Sequence, residues 1–216
     1  MRGVVMHAPG DVRVEEREKP TITRPTDAVI RIAATCICGS DLWPYRGANE
    51  VDHDPMGHEY VGVVEEIGAE VQTLKVGDFV VGSFMASDNT CEICASGYHT
   101  HCVQREAAAS TGGQAEFLRV PLADGTLVAT PGMPDDDLVP SLLAASDVLG
   151  TGWFAAVMGT GVLALTTHGL ALRWPVLALP AEALHRFNSV LFAMLAVPWL
   201  TRWLRFPAAP VLASAG

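Results

Sequence analysis

Three cysteines set the first chemical expectation. In DNTCEICASGYHTHC, Cys91, Cys94 and Cys102 follow a Cys-x-x-Cys spacing and then a further Cys after seven residues. Zinc takes four ligands in a tetrahedron, prefers thiolate and imidazole and accepts carboxylate, so three thiols need one more donor. Asp88, three residues before Cys91, continues the spacing, and His99 and His101 compete with it for the fourth place. Thiols without a metal belong in apolar surroundings, and this stretch is polar, which favours the metal. Two further cysteines, Cys36 and Cys38, stand earlier in the chain. The opening residues MRGVVMHAPGDVRVEE hold no apolar run behind a positive end, so this part is expected in the cytoplasm, where thiols serve as ligands or stay buried.

The elements around these residues read as strands. Short apolar runs at Gly3 to Met6, Ala28 to Ala34, Tyr60 to Ile67 and Phe79 to Val81 are separated by turn residues such as Pro9-Gly10-Asp11 and Gly77-Asp78. That pattern predicts a mainly β, barrel-like domain. Residues 85–112 lack apolar periodicity and predict a lobe that a metal holds together. Strand patterning returns at Gly113 to Val120 and at Thr126 to Thr130, before the turn Pro131-Gly132. Residues 1–147 carry 10 Lys+Arg and 23 Asp+Glu, an acidic balance that excludes nucleic acid as a partner.

The character changes after Asp147. Residues 148–172 contain no Asp, Glu, Lys or Arg over 25 residues, enough to cross a bilayer as a helix. Trp153 and Trp174 bracket this run 21 residues apart, about 31 Å of helix, which suits indoles at opposite interfaces. A second stretch, residues 187–204, is interrupted by Pro198 and ends in a cluster of Trp199, Arg202, Trp203 and Arg205. The alternative is a pair of buried helices in a soluble domain, but so little polar surface leaves them poorly covered. The expected division is a catalytic-type domain at 1–150, two hydrophobic helices forming a transmembrane hairpin at 151–206, and a tail at 207–216.

The stretch CGSDLWPYRG, then GHEYVGVVEEIGAEVQTLKVGDFVVG, then the cysteine lobe, GGQAEFLRVPLADGTLVATP and SDVLGTGW resemble the zinc-dependent alcohol dehydrogenases of the medium-chain dehydrogenase/reductase superfamily. The likeness covers residues 1 to about 154, with several independent motifs in order. It implies a GroES-like β-barrel catalytic domain. It also groups residues that spacing could not: Cys38, His58 and Asp147 as ligands of a catalytic zinc, Glu59 as the glutamate beside it, and Ser40 as the hydroxyl that relays the alcohol's proton. The family's four-cysteine structural-zinc lobe maps onto Cys91, Cys94 and Cys102, with Asp88 where the first cysteine would stand. By this resemblance the substrate is an alcohol or aldehyde, and zinc lowers the alcohol's pKa while NAD(P) takes the hydride. Cys36 is expected to be a small buried thiol rather than a ligand.

The resemblance stops near Trp153. Gly159-Thr160-Gly161-Val162-Leu163-Ala164 fits G-x-G-x-x-A, with Glu182 lying 21 residues beyond Gly161, yet a lone match is weak and the remaining residues are too few for a doubly wound sheet. No complete Rossmann domain is therefore expected. WFAAVMGTGVLALTTH and RFNSVLFAMLAVPWLTRWLRFPAA instead resemble the first two membrane helices of the tellurite-resistance/dicarboxylate transporter family, relatives of the slow anion channels. The sequence thus predicts a membrane-tethered, zinc-binding oxidoreductase domain with its zinc part cytoplasmic. The alternatives are a non-catalytic, membrane-anchored zinc-binding module, which could form a homo-oligomer or pair with a complete dehydrogenase, and a fusion product without selected function.

Overall fold

The computed structural model describes residues 1–107 and 112–152 and, further on, residues 179–180, 182–187, 189–190 and 193–194. Chain contacts divide it into two units, Met1–Val148 and Leu149–Gly216.

The first unit is mainly β. Its strands are β1 (Arg2–Ala8), β2 (Asp11–Glu16), β3 (Ala28–Thr35), β4 (Asp54–Pro55), β5 (Tyr60–Ile67), β6 (Phe79–Gly82), β7 (Met85–Ala86), β8 (Glu106–Ala107), β9 (Phe117–Val120) and β10 (Leu127–Ala129). Four short helices accompany them: α1 (Leu42–Tyr45), α2 (Glu92–Ala95), α3 (Ala123–Thr126) and α4 (Val139–Ser146). A five-stranded sheet runs β10-β6-β5-β3-β9, a three-stranded sheet runs β2-β1-β4, and β7 pairs with β8. The two larger sheets meet at a bridge between Gly3 and Ala115, reinforced where the Val4 N–H donates to the Gln114 carbonyl at 2.8 Å.

The apolar runs read from the sequence become the core strands. Ala28, Ile30, Tyr60, Val64, Val80, Leu118, Val120 and Leu127 close into one buried cluster. Each of the valine, leucine and isoleucine side chains among them contributes about 1.5–3 kcal/mol on full burial. Two departures are local. Asp11–Glu16, of which the sequence pattern placed only Asp11, in a turn, pairs along β1 as an edge strand with Val14 exposed. Thr126, expected to begin a strand, instead ends α3, where its hydroxyl donates to the carbonyls of Pro121 and Leu122, a local bond that competes with strand pairing.

The pairing of β3 with β5 positions the site. Their register shifts twice, between Val29 and Ile30 and between Ile32 and Ala34, and such bulges bend a strand. Gly62 makes the bend feasible, because a Cβ there would lie 2.4 Å from the Arg31 carbonyl oxygen. The pair closes at Thr35 opposite Tyr60. The residues that follow β3 therefore lie beside those that precede β5, and α4 packs across β3, β5 and β6.

In the second unit the described residues are helical. Glu182 and Arg186 pair at 2.6 Å on an exposed turn, and Leu179, Phe187, Val190 and Met194 are exposed apolar side chains. Among the described residues no helix is long and apolar enough to cross a membrane. Residues 153–178 and 195–204, which hold most of the two expected spans and the G-x-G-x-x-A match, lie outside the described residues.

Candidate metal centres

Cys38, His58, Glu59 and Asp147 each bring one ligand atom to a common place, all within 4.8 Å of one another. They come from three parts of the first unit's architecture. Cys38 follows β3, His58 and Glu59 immediately precede β5, and Asp147 terminates α4. The Cys38 thiol lies 3.9 Å from Asp147 Oδ2, and His58 Nε2 lies 3.6 Å from the same oxygen. Ser40, in the short turn after Cys38, places Oγ 3.4 Å from His58 Nε2.

The sequence reading missed Asp41. Its Oδ2 accepts the Cys38 backbone N–H at 2.9 Å, and its Oδ1 sits 3.4 Å from His58 Nδ1. One carboxylate thus fixes both the loop that carries the thiol and the face of the imidazole turned away from it. A carboxylate on Nδ1 selects the tautomer whose Nε2 lone pair points into the cluster. Asp41 raises the His58 pKa to about 9, with Cys38 adding to the effect and burial opposing it. A cation on Nε2 would have to displace that proton, which couples metal binding to proton release. The only sequence signal for Asp41 was its place three residues after Cys38 at the start of a helical turn.

Glu59 is fully buried. Its Oε2 accepts the Cys36 thiol, and its Oε1 has no hydrogen-bond partner among the described residues. Cys36 itself is only partly buried and lies outside the group of gathered ligand atoms. Burial and the neighbouring Glu59 carboxylate push its thiol up to about 12, so it stays protonated. A cavity of about 240 Å³ is lined by Asp41, Pro44, Val51, Met56 and His58 but by neither Cys38 nor Asp147.

The second cluster is the lobe. Asp88, Cys91, Cys94 and Cys102 gather their ligand atoms within 4.8 Å, with Cys94 and Cys102 buried. Cys91 caps α2, its sulfur accepting the Cys94 N–H at 3.4 Å. Cys102 accepts the N–H of Asp88 at 3.4 Å and of Gln104 at 3.3 Å. The Asp88 carboxylate accepts the N–H groups of Thr90 at 2.9 Å and Cys91 at 3.1 Å. Burial acts to raise its pKa, but those donors and the adjacent thiols outweigh it and hold the carboxyl well below its usual range. The two histidines that competed for the fourth place are turned elsewhere: His99 Nε2 faces Asn89 Oδ1 at 2.9 Å and His101 Nδ1 faces Thr100 Oγ1 at 3.1 Å.

Both donor sets fit zinc. Three sulfurs and a carboxylate crowded together, with backbone N–H groups aimed at two of the sulfurs, would repel one another as anions unless a dication balanced them. The other group offers one sulfur, one imidazole and one carboxylate, with a buried, unpartnered oxygen of Glu59 alongside. All five cysteines are free thiols, as ligand chemistry requires.

A family profile described as the alcohol dehydrogenase GroES-like domain matches residues 24–132. A second, described as a voltage-dependent anion channel, matches residues 149–212. Over 162 residues the chain is 40% identical to the medium chain reductase/dehydrogenase ucsI of Acremonium sp, covering 72% of this chain and 54% of that protein. It is 38% identical over 160 residues to the zinc-type alcohol dehydrogenase B of Aspergillus flavus, covering 72% of this chain and 37% of that one. The chain thus spans about half the length, or less, of these curated relatives. Among solved structures it is similar to the alcohol dehydrogenase TADH from Thermus sp. ATN1, with a TM-score of 0.64 and 32% identity over 76% of this chain and 48% of the other. Similarity to the zinc dependent alcohol dehydrogenase 2 from Streptococcus pneumonia has a TM-score of 0.57 and 37% identity, over 64% and 41% of the two chains.

Proposed function

The chain belongs to the alcohol dehydrogenase GroES-like domain family, and from that premise we propose that its first unit is a zinc-binding oxidoreductase domain acting on a small alcohol or aldehyde. Cys38, His58 and Asp147 hold the catalytic zinc, and Asp88, Cys91, Cys94 and Cys102 hold a structural one. The observation that carries this reading is the gathering of Cys38, His58, Glu59 and Asp147 from positions as much as 109 residues apart. Unrelated side chains have no reason to converge so closely, and one sulfur, one imidazole and one carboxylate leave a fourth position for substrate.

When bound, zinc supplies Lewis-acid assistance to alcohol deprotonation and NAD(P) supplies hydride acceptance. The chain's own residues do the rest. Asp41 holds His58 in the tautomer that turns Nε2 inward. Ser40 Oγ, beside that nitrogen, takes the alcohol's proton and passes it outward. Glu59 places a further buried carboxylate next to the ligands.

We further propose that residues 151–206 tether this domain to a membrane. The uncharged stretch at 148–172, the anion-channel profile match and the exposed apolar side chains at Leu179, Phe187, Val190 and Met194 support it. A second reading is a membrane-anchored zinc-binding module that pairs with a complete dehydrogenase or with its own copy, and the anion-channel profile match at residues 149–212 is the observation that favours it.

Three measurements test these readings. Purified full chain should carry two zinc ions by elemental analysis, and Cys38→Ser, His58→Ala and Asp147→Ala should each carry one; unchanged content in all three ends the assignment. NAD(P)H formation by the zinc-loaded chain over a panel of alcohols decides between enzyme and module, with no turnover at high protein concentration favouring the module. Extraction of membranes with carbonate should leave the protein in the pellet, and its release would remove the tether.

A further inference from the structure

Glu59 has one carboxylate oxygen held and the other free. The side chain is fully buried, its backbone carbonyl accepts the Thr35 hydroxyl at 2.8 Å, and its Oε2 accepts the Cys36 thiol. The remaining oxygen, Oε1, is buried and meets no donor among the described residues. A buried carboxylate oxygen left in that state is costly, by roughly 1–3 kcal/mol or more for a charged group. Glu59 is also one of the four residues whose ligand atoms gather within 4.8 Å.

We infer that Cys36 is a positioning residue for this site: by donating to Oε2 it orients the buried Glu59 carboxylate so that Oε1 is presented to the cation held by Cys38, His58 and Asp147. The inference rests on the metal assignment proposed above. Cys36 is well placed for the task. It lies one residue beyond the β3 terminus, opposite the start of β5, and its own carbonyl accepts the Gln114 side-chain amide at 3.2 Å, which pins the loop. Its sulfur stands outside the gathered ligand atoms, which leaves it free to act on Glu59 rather than on the cation. A thiol suits the role because S–H is a weak donor. It orients the carboxylate while withdrawing little electron density from it, so Oε1 keeps its strength as an acceptor. Partners of this kind, one bond removed from a ligand set, typically change metal affinity about 10–100-fold when lost.

The test uses the full chain, stripped of metal and reloaded with Co2+. The absorption difference between the wild-type chain and Cys38→Ser isolates the band of this site, while the sulfur-rich lobe's band reports that each variant is folded. Cys36→Ala is expected to shift the isolated band and weaken Co2+ binding there on the order of 10-fold, with the lobe's band unchanged. Cys36→Ser, which keeps a donor, should stay within about 3-fold of wild type on the same basis. In a Glu59→Gln background the Cys36→Ala change should have no further effect on the band, because the carboxylate it orients is gone. A Cys36→Ala chain with the wild-type band and affinity overturns the inference, as does equal loss in the Ala and Ser variants, since the donor is what is claimed. If Cys36→Ala does not fold, Cys36→Val, which also removes the donor, takes its place in the wild-type and Glu59→Gln backgrounds, and a band shift of equal size in both overturns the inference. A wild-type chain with no Cys38-dependent band removes the metal assignment and this inference together, an outcome distinct from failure of the Cys36 variants alone.

Discussion

Asp88, Cys91, Cys94 and Cys102 come from 15 consecutive residues, whereas Cys38, His58, Glu59 and Asp147 are drawn from a span of 110. The lobe cluster forms through local turns: a cysteine that caps a four-residue helix, an aspartate that accepts N–H groups two and three residues on, and a sulfur that accepts from both sides. The other cluster forms because β3 and β5 end side by side and α4 lays its C-terminal end over them. The lobe has little apolar core of its own, so its order depends on what the ligands bind. The other centre sits on a framework that the buried cluster of Ile30, Tyr60, Val64, Val80 and Leu118 already holds together.

Disabling the two centres should therefore have unequal consequences. Cys94→Ala should abolish one zinc equivalent and lower Tm by on the order of 15 °C, because zinc in a structural site contributes directly to folding. Scanning calorimetry with and without chelator checks it, and a variant that melts like wild type would mean the lobe is held by something else.

The next effect probes the barrel framework. Asp27 is fully buried, accepting from Thr23 Oγ1 at 3.0 Å, the Arg24 N–H at 3.0 Å and Arg119 Nη1 at 2.8 Å. Burial pushes its pKa up, but Arg119, Thr23 and the Arg24 backbone outweigh it and hold the carboxyl below its ordinary value. Its folded pKa is thus below the unfolded value of about 3.9, so the stability it contributes is fully present above that pH and is lost as pH falls through the folded value. Asp27→Asn should cost about 3 kcal/mol near neutrality, roughly 5–10 °C in Tm. The gap between variant and wild type should narrow from pH 6 to pH 3, and melts across that range would reveal it.

Smaller still is the expected thermal cost at the dispersed centre. His58→Ala should release one zinc yet lower Tm by under roughly 5 °C, since the strands close without it. Asp41→Asn should retain the metal but weaken its binding about 10–100-fold, measured by competition with a chromophoric chelator. A Tm loss as large as that of Cys94→Ala would break the contrast. The smallest change should follow Glu106→Gln. It severs the Arg24 pair that joins the barrel to β8, but with the two side chains 40% and 41% exposed the cost should be under about 1 kcal/mol, a Tm shift of roughly 2 °C.

Much of this was legible in the amino-acid order. Tyr60 to Ile67 was read as a strand with the bounds the fold has, and the spacing of Cys91, Cys94 and Cys102, with Asp88 before them, marked out a group that does gather. These are short-range patterns, in which a turn or a strand's alternation is set by neighbours along the chain. Asp11–Glu16 was missed because an edge strand buries few residues and so leaves a faint apolar signature.

The meeting of Cys38, His58 and Asp147 was suggested by family likeness, and no spacing in the sequence contains it. Only the tertiary structure decided that Asp41 spans the Cys38 loop and the His58 ring, that His99 and His101 turn away from the thiols, and that Cys36 leans on Glu59. The physical reason is range. A local spacing fixes distances through covalent geometry and a few backbone bonds, while a contact between residues tens of positions apart depends on strand register, bulges and helix docking, which the whole core settles at once.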